Sequence, residues 1–343
     1  MKYLFLILSL FIFSCDNDSN IDNYQPSNID CDNPLNNYQD ETGTCCPEDE
    51  KDCNGLCYGL DITTCLPCND ATAINYVYGS LDNNNCIYDS IGDDWALVWN
   101  DEFNGDSIDN FKWTYQLGNG SQYGLVGWGN DEAQYYTNES TNIALDICDN
   151  DKNCLFINAY NQDYNGSDYT SARIRSIKSQ AYGRIDIRAK LPTADGTWPA
   201  LWMLPQSPDV GWPTSGEIDI MEHVGCGLGT IHGSIHCSDH NHQDGTEETG
   251  SNASINVDDF NIYRIDWDEE SIKWYVNDTQ YFQYDNDGQG NGSWPFNDDF
   301  YIILNLAIGG DWGTLGGTCP IDYLSFPQSM LVDYVRVFQK NNN

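Results

Sequence analysis

Three carboxylates fall within one short stretch, Gly216-Glu217-Ile218-Asp219-Ile220-Met221-Glu222-His223. Along a strand, side chains alternate faces, so Glu217 and Asp219 share one face while Ile218 and Ile220 share the other. Regular alternation would turn Glu222 to the isoleucine side, where an unpaired charge is costly to bury. One extra residue, a β-bulge near Ile220 or Met221, restores parity and brings all three acids to one face. Crowded carboxylates repel, so at least one pKa must rise. One protonated and one ionised carboxyl is the combination that glycosidic bond cleavage requires. An exposed acidic strand and a calcium site are the other uses of the same pattern.

The elements that must position these acids are strands. Short alternating or β-branched runs with turn signals between them recur at 96–99, 155–158, 184–190, 217–222, 271–276, 301–308 and 331–338. Long runs of helical period are absent, as are a Gly-rich phosphate loop and a nucleophile elbow. Many short strands over about 245 residues imply a β-sandwich or a barrel.

The Glu-x-Asp-x-x-Glu pattern after Gly216 resembles the bulged active-site strand of glycoside hydrolase family 16. Further segments resemble that family in order along the chain. They are Trp99-Asn100-Asp101-Glu102-Phe103-Asn104-Gly105, the laminarinase-like strip from Gly127 to Tyr136, Gly183-Arg184-Ile185, Trp198 to Met203, Asn305 to Trp312, and Asp333 to Val337. The resemblance implies an all-β, concanavalin-like jelly-roll sandwich of two antiparallel sheets over residues 94–340. It implies a retaining endo-glycosidase acting on β-1,3-glucan of the laminarin type. Mixed-linkage glucan, agarose or carrageenan are the alternative substrates, and a glucan-binding protein without catalysis is the alternative class. Carried over by position, Glu217 is the nucleophile, Glu222 the general acid and then base, and Asp219 the assisting residue between them.

The same resemblance points to a cleft. Trp198, Trp202 and Trp212 are candidates to stack on sugar rings, whose flat C–H faces suit indole. Asn130 and Arg175 are candidate donors to sugar hydroxyls. His232 and His236 share one strand face by parity, and the family pattern puts His236 near the site. A zinc site built on these two histidines is the weaker use of them. No cofactor is expected for catalysis. The family's structural calcium is expected at Glu102 and Asp333, although the glycine that donates a backbone oxygen in the family is replaced near Asn153.

Acidic residues outnumber basic ones 53 to 14, for a net charge of −39. Such a chain repels nucleic acid and anionic membrane surfaces, whereas an uncharged glycan meets no such penalty. The composition includes 11 Trp and 22 Tyr, which suits both sugar stacking and an all-β core. A monomer is expected.

The amino terminus reads as an export signal over residues 1–14: Lys2, an apolar run from Tyr3 to Phe13, then Ser14-Cys15. The small residue before Cys15 resembles a bacterial lipobox, which implies lipidation of Cys15 and attachment to the outer membrane. A polar tether follows over residues 15–30. Residues 31–90 hold eight cysteines, Cys31, Cys45, Cys46, Cys53, Cys57, Cys65, Cys68 and Cys86. In an exported chain they read as a disulfide-stapled module. Five more cysteines lie in the region 94–340. Local bridges Cys148–Cys154 and Cys226–Cys237 are expected, which leaves Cys319 over.

Overall fold

The computed structural model describes residues 37–39, 45–47, 95–149, 152–206 and 210–340. The export signal, Cys15, the tether and all but two short strands of the Cys-rich stretch lie outside these residues. The chain divides into two compact units, Met1–Pro67 and Cys68–Asn343. In the first, β1 (Asn37–Gln39) and β2 (Cys45–Pro47) form an antiparallel pair.

The second unit is built from short strands joined by turns. In chain order they are β3 (Trp95–Asp101), β4 (Trp113–Tyr115), β5 (Gln134–Tyr136), β6 (Ile143–Asp149), β7 (Lys152–Tyr164), β8 (Ser167–Ser171), β9 (Arg173–Gln180), β10 (Gly183–Lys190) and β11 (Thr197–Pro205). There follow β12 (Glu217–His223), β13 (Ile231–His236), β14 (Glu248–Asn252), β15 (Asn261–Trp267), β16 (Ser271–Val276), β17 (Thr279–Asp285), β18 (Phe300–Ile308) and β19 (Gln328–Lys340). A single turn of helix, α1 (Gly310–Gly313), follows β18.

Seven strands form one sheet in the order β14-β13-β12-β11-β18-β9-β4. The other sheet runs β17-β16-β15-β10-β19-β7-β8-β5, with β3 also on β19 and β6 also on β7. All pairings are antiparallel except β5 with β8. The two sheets share one hydrophobic core, so the sandwich expected from the sequence is the fold found.

Alternation decides what each strand gives the core. On β18, Phe300, Ile302, Leu304 and Leu306 enter it; on β11, Leu201 and Met203; on β9, Ile174. The remaining positions of these strands, Asn305, Trp198, Trp202, Arg173 and Arg175 among them, therefore face away from the core. Burying this apolar set stabilises the sandwich at roughly 25 cal/mol per Å².

Two expectations need correction. Cys148 and Cys154 are bridged, but Cys226 pairs with Cys319, across 93 residues. Among the described residues, Cys237 is the free thiol. It follows His236 on the way out of β13, so it turns to the opposite face, into the core. Cys226 lies instead in the turn after β12, beside the loop that follows β18, and its sulfur also lies near the Gly313 carbonyl.

Glu102 and Asp333 do not fit a resident calcium. Arg336 donates to both oxygens of Glu102, at 2.8 and 2.7 Å. Arg188 pairs with Asp333. With guanidinium groups already on these carboxylates, a cation at the same oxygens would meet positive charge.

Candidate active site

The bulge is where parity demands it. On the β11 side, Leu201 pairs with Met221 and Trp202 with Asp219, so Ile220 is the extra residue. On the β13 side, Asp219 faces Ser234 and Glu222 faces His232. Ile220 and Met221 both enter the core, fully buried. Glu217, Asp219 and Glu222 consequently share the opposite face.

A bulge frees backbone groups, and the second sheet satisfies them. Trp274 of β16 donates its indole N–H to the Asp219 carbonyl at 2.7 Å, and the Tyr281 hydroxyl of β17 reaches the Ile220 carbonyl at 3.5 Å. Gly233 makes this possible. A Cβ there would lie 2.4 Å from the Trp274 ring. The bulge is thus a built feature, pinned from behind through the core.

Each acid has a distinct neighbourhood. Trp198 donates to Glu222 Oε1 at 2.9 Å. Glu217 Oε1 lies 3.7 Å from His236 Nε2, and Asp219 Oδ2 lies 3.2 Å from the same nitrogen. The latter contact is close but too oblique for a hydrogen bond, and Asp219 Oδ2 is without a partner. Asp219 is 2% exposed.

Burial pushes all three carboxyls up to about 8. For Glu217 and Glu222, repulsion from Asp219 adds to this, while His236 opposes it. Arg173 also favours the ionised form of Glu217, and the Trp198 N–H that of Glu222. For Asp219 the second cause is Glu247. Groups this close titrate as a set, so at neutral pH the triad retains protons that isolated carboxylates would have lost.

Walls of aromatic and amide groups flank the acids. Trp202 donates to Asn305 Oδ1 at 2.7 Å, Asn305 donates to the Tyr136 hydroxyl at 3.1 Å, and Tyr136 donates to Glu132 at 3.3 Å. Asn130 and Gln134 also donate to Glu132. Beyond Glu222, Trp198 meets Trp312 of α1 edge-on at 5.4 Å, and His232 meets Trp312 at 5.1 Å. Gly310 has φ +75°, and a Cβ there would meet the Asn130 carbonyl at 2.8 Å and the Trp198 ring at 3.2 Å. Only glycine lets this turn pack so closely on the wall. At the other end, Trp212 packs near the rings of His236 and His242, at 5.9 and 5.1 Å.

Most of the residues expected from sequence converge here: the three acids, Trp198, Trp202, Trp212 and His236 around the strand, and Asn130 on the wall beside α1. Arg175 is the exception. Its guanidinium stacks on Tyr301 at 4.5 Å. The cation that acts on Glu217 is Arg173, held between the rings of Trp128 and Trp202 at 4.4 and 4.7 Å and donating to Gln116. Arg173 and Arg175 share strand parity, so sequence offers no signal between them; their partners on β18, Asn305 and Ile303, make the difference. Trp312, His242 and Glu247 were not expected either.

Comparison with known proteins agrees with this geometry. The chain is 41% identical over 260 residues to a beta-glucanase of Rhodothermus marinus, covering 71% of this chain and 85% of that protein. It is 38% identical to glucan endo-1,3-beta-glucosidase A1 of Niallia circulans, over 71% of this chain but only 38% of that longer protein. Among solved structures, the laminarinase of Rhodothermus marinus aligns with a TM-score of 0.66 at 39% identity, covering 72% of this chain and 98% of that one. The laminarinase of Flavobacterium sp. UMI-01 aligns with a TM-score of 0.62 at 36% identity, over 71% of this chain and all of that one. A profile described as glycosyl hydrolases family 16 matches residues 121–325, and with that match the chain belongs to glycoside hydrolase family 16.

Proposed function

We propose that the protein is a retaining endo-β-1,3-glucanase, with Glu217 and Glu222 performing the chemistry. One observation carries this: three carboxyls, Asp219 buried and Glu217 and Glu222 half-buried, share one face of a bulged strand, walled by Trp198 and Trp202. Glu217 has the neighbours of a nucleophile, since Arg173 and His236 both favour its ionised form. Its carboxylate attacks the anomeric carbon and forms a glycosyl-enzyme bond as the glycosidic oxygen departs. Glu222 accepts the Trp198 N–H on one oxygen and gives a proton to that leaving oxygen from the other. The carboxylate so formed then takes a proton from water, whose oxygen displaces Glu217. Asp219 sits between them and couples their charges.

The relatives named for β-1,3-glucan and laminarin support that substrate. The aromatic walls and a net charge of −39 suit an uncharged polymer better than a sulfated one. Reducing-sugar release from laminarin, mixed-linkage β-glucan, agarose and carrageenan tests it. Laminarin should be cleaved fastest, into short oligosaccharides, and Glu217→Gln and Glu222→Gln should each lose at least about a thousandfold in kcat. Release only from a galactan would overturn the substrate, and binding of laminarin without any cleavage would replace the enzyme with a binding protein. Lipidation of Cys15 and outer-membrane attachment belong to the same proposal. They rest on the sequence, and mass spectrometry of the mature amino terminus tests them.

A further inference from the structure

We propose that His236, His242 and Glu247 form a binding site for a zinc-type divalent transition metal at the shoulder of the cleft, and that its occupancy shuts hydrolysis down. One ligand atom from each of the three lies within 4.8 Å of the others. Two imidazoles and one carboxylate are a donor set for first-row transition metals rather than for calcium, which takes oxygen ligands. Zinc bonds of about 2.0–2.1 Å require donors to stand roughly 3.4 Å apart. His242 and Glu247 are exposed, so rotation about their own side-chain bonds can close the difference.

A second observation points to a ligand. His236 is 5% exposed, and its Nδ1 has no hydrogen-bond partner. An unpaired buried ring nitrogen is costly and calls for an explanation. Its other nitrogen, Nε2, lies 3.2 Å from Asp219 Oδ2, also without a partner. A metal on Nδ1 would fix the ring's tautomer with its proton on Nε2, the nitrogen that faces Asp219. The loop that carries the other two ligands is already organised. Asn241, 1% exposed, donates to the Cys237 carbonyl and to Asp244, and Thr246 N–H donates to the Asn241 carbonyl.

A dication there stands one imidazole ring from Asp219. Positive charge builds on the sugar during glycosidic cleavage, and the ion would repel it while fixing His236. At this range the penalty corresponds to about tenfold or more in rate. The site itself is independent of the proposed substrate; only the shut-off rests on that reading.

Cobalt(II) and zinc titrations of the full chain test both halves. Cobalt should give visible bands of an imidazole–carboxylate site without thiolate charge-transfer absorption. His242→Asn and Glu247→Gln should each weaken this binding by about tenfold or more, while His240→Asn, on the same loop, should not. Zinc should lower laminarin hydrolysis along the same occupancy curve, and the two weakened variants should need correspondingly more zinc. Binding that survives His242→Asn and Glu247→Gln, whether on thiolates or on Glu217, Asp219 and His236 alone, overturns the site. Undiminished hydrolysis at zinc saturation overturns the shut-off. If laminarin is never cleaved, the cobalt bands still decide the site.

Discussion

Replacing Glu217 with glutamine should make the protein more stable at pH 8 and leave it nearly unchanged at pH 4. Burial and the neighbouring acids raise the Glu217 carboxyl from 4.5 to about 8. Between those values the native state binds a proton that the unfolded chain has released, so unfolding free energy falls as pH rises through the window. The stability associated with the protonated group is therefore complete below about pH 4.5 and lost by about pH 8. At about 1.36 kcal/mol per pH unit, an isolated group shifted this far would account for up to about 5 kcal/mol. Glu217 is not isolated. Its side chain is 15% exposed, and Asp219 and Glu222 share the same protons, which brings the expectation to about 2 kcal/mol. Glutamine keeps the shape and carries no charge at any pH. For a domain of this size, thermal melts should show a gain of roughly 4–8 °C at pH 8, shrinking to nothing by pH 4. A Glu217→Gln protein less stable than wild type at pH 8, or a gain independent of pH, would refute the claim that the triad is held together against its own repulsion.

The raised carboxyls bear on the alkaline limb of the pH profile: once the coupled set has lost its last proton, Glu222 can no longer act as acid, so activity should fall on passing about pH 8. Activity that is already lost with rising pH near pH 5 in laminarin assays would contradict this. Trp202→Phe removes the N–H donated to Asn305 and reshapes the ring under Arg173; kcat/KM on laminarin should fall about tenfold, mostly through KM, the worth of one buried hydrogen bond. Cys226→Ser opens a bridge that closes 93 residues. The chain-entropy model puts its loss at about 4.6 kcal/mol, to be read as a lower melting temperature with the midpoint unaffected by added reductant at that bridge.

What could be read in the sequence, and what could not, divides along one physical line. Strand parity is a local rule with a period of two, and it located the bulge from a single conflict: an acid at 222 could not share a face with Ile218 and Ile220. The structure resolves that conflict at Ile220. Parity also put His232 and His236 on one face, and the structure pairs them with Glu222 and Glu217. It cannot rank residues that obey it equally. Arg173 and Arg175 point the same way, and only the strand alongside, with Asn305 at one position and Ile303 at the next, puts one guanidinium between two indoles and the other on Tyr301. Loops have no period at all. Cys226 meets Cys319 because the turn after β12 and the loop after β18 lie side by side in the folded sheet, although 93 residues separate them. His242 and Glu247 reach the cleft because one buried asparagine ties their loop. Arg336 and Arg188 occupy the carboxylates expected for calcium through contacts 234 and 145 residues apart in the chain. The residues proposed to break the glycosidic bond lie on a strand, where alternation orients them. Of the groups that act on these acids, Arg173 is selected by neighbours distant in sequence, whereas Glu247 is carried by a loop that Asn241 ties locally, so substitutions in the loop of residues 237–247 should alter the cleft's electrostatics while leaving the catalytic strand intact.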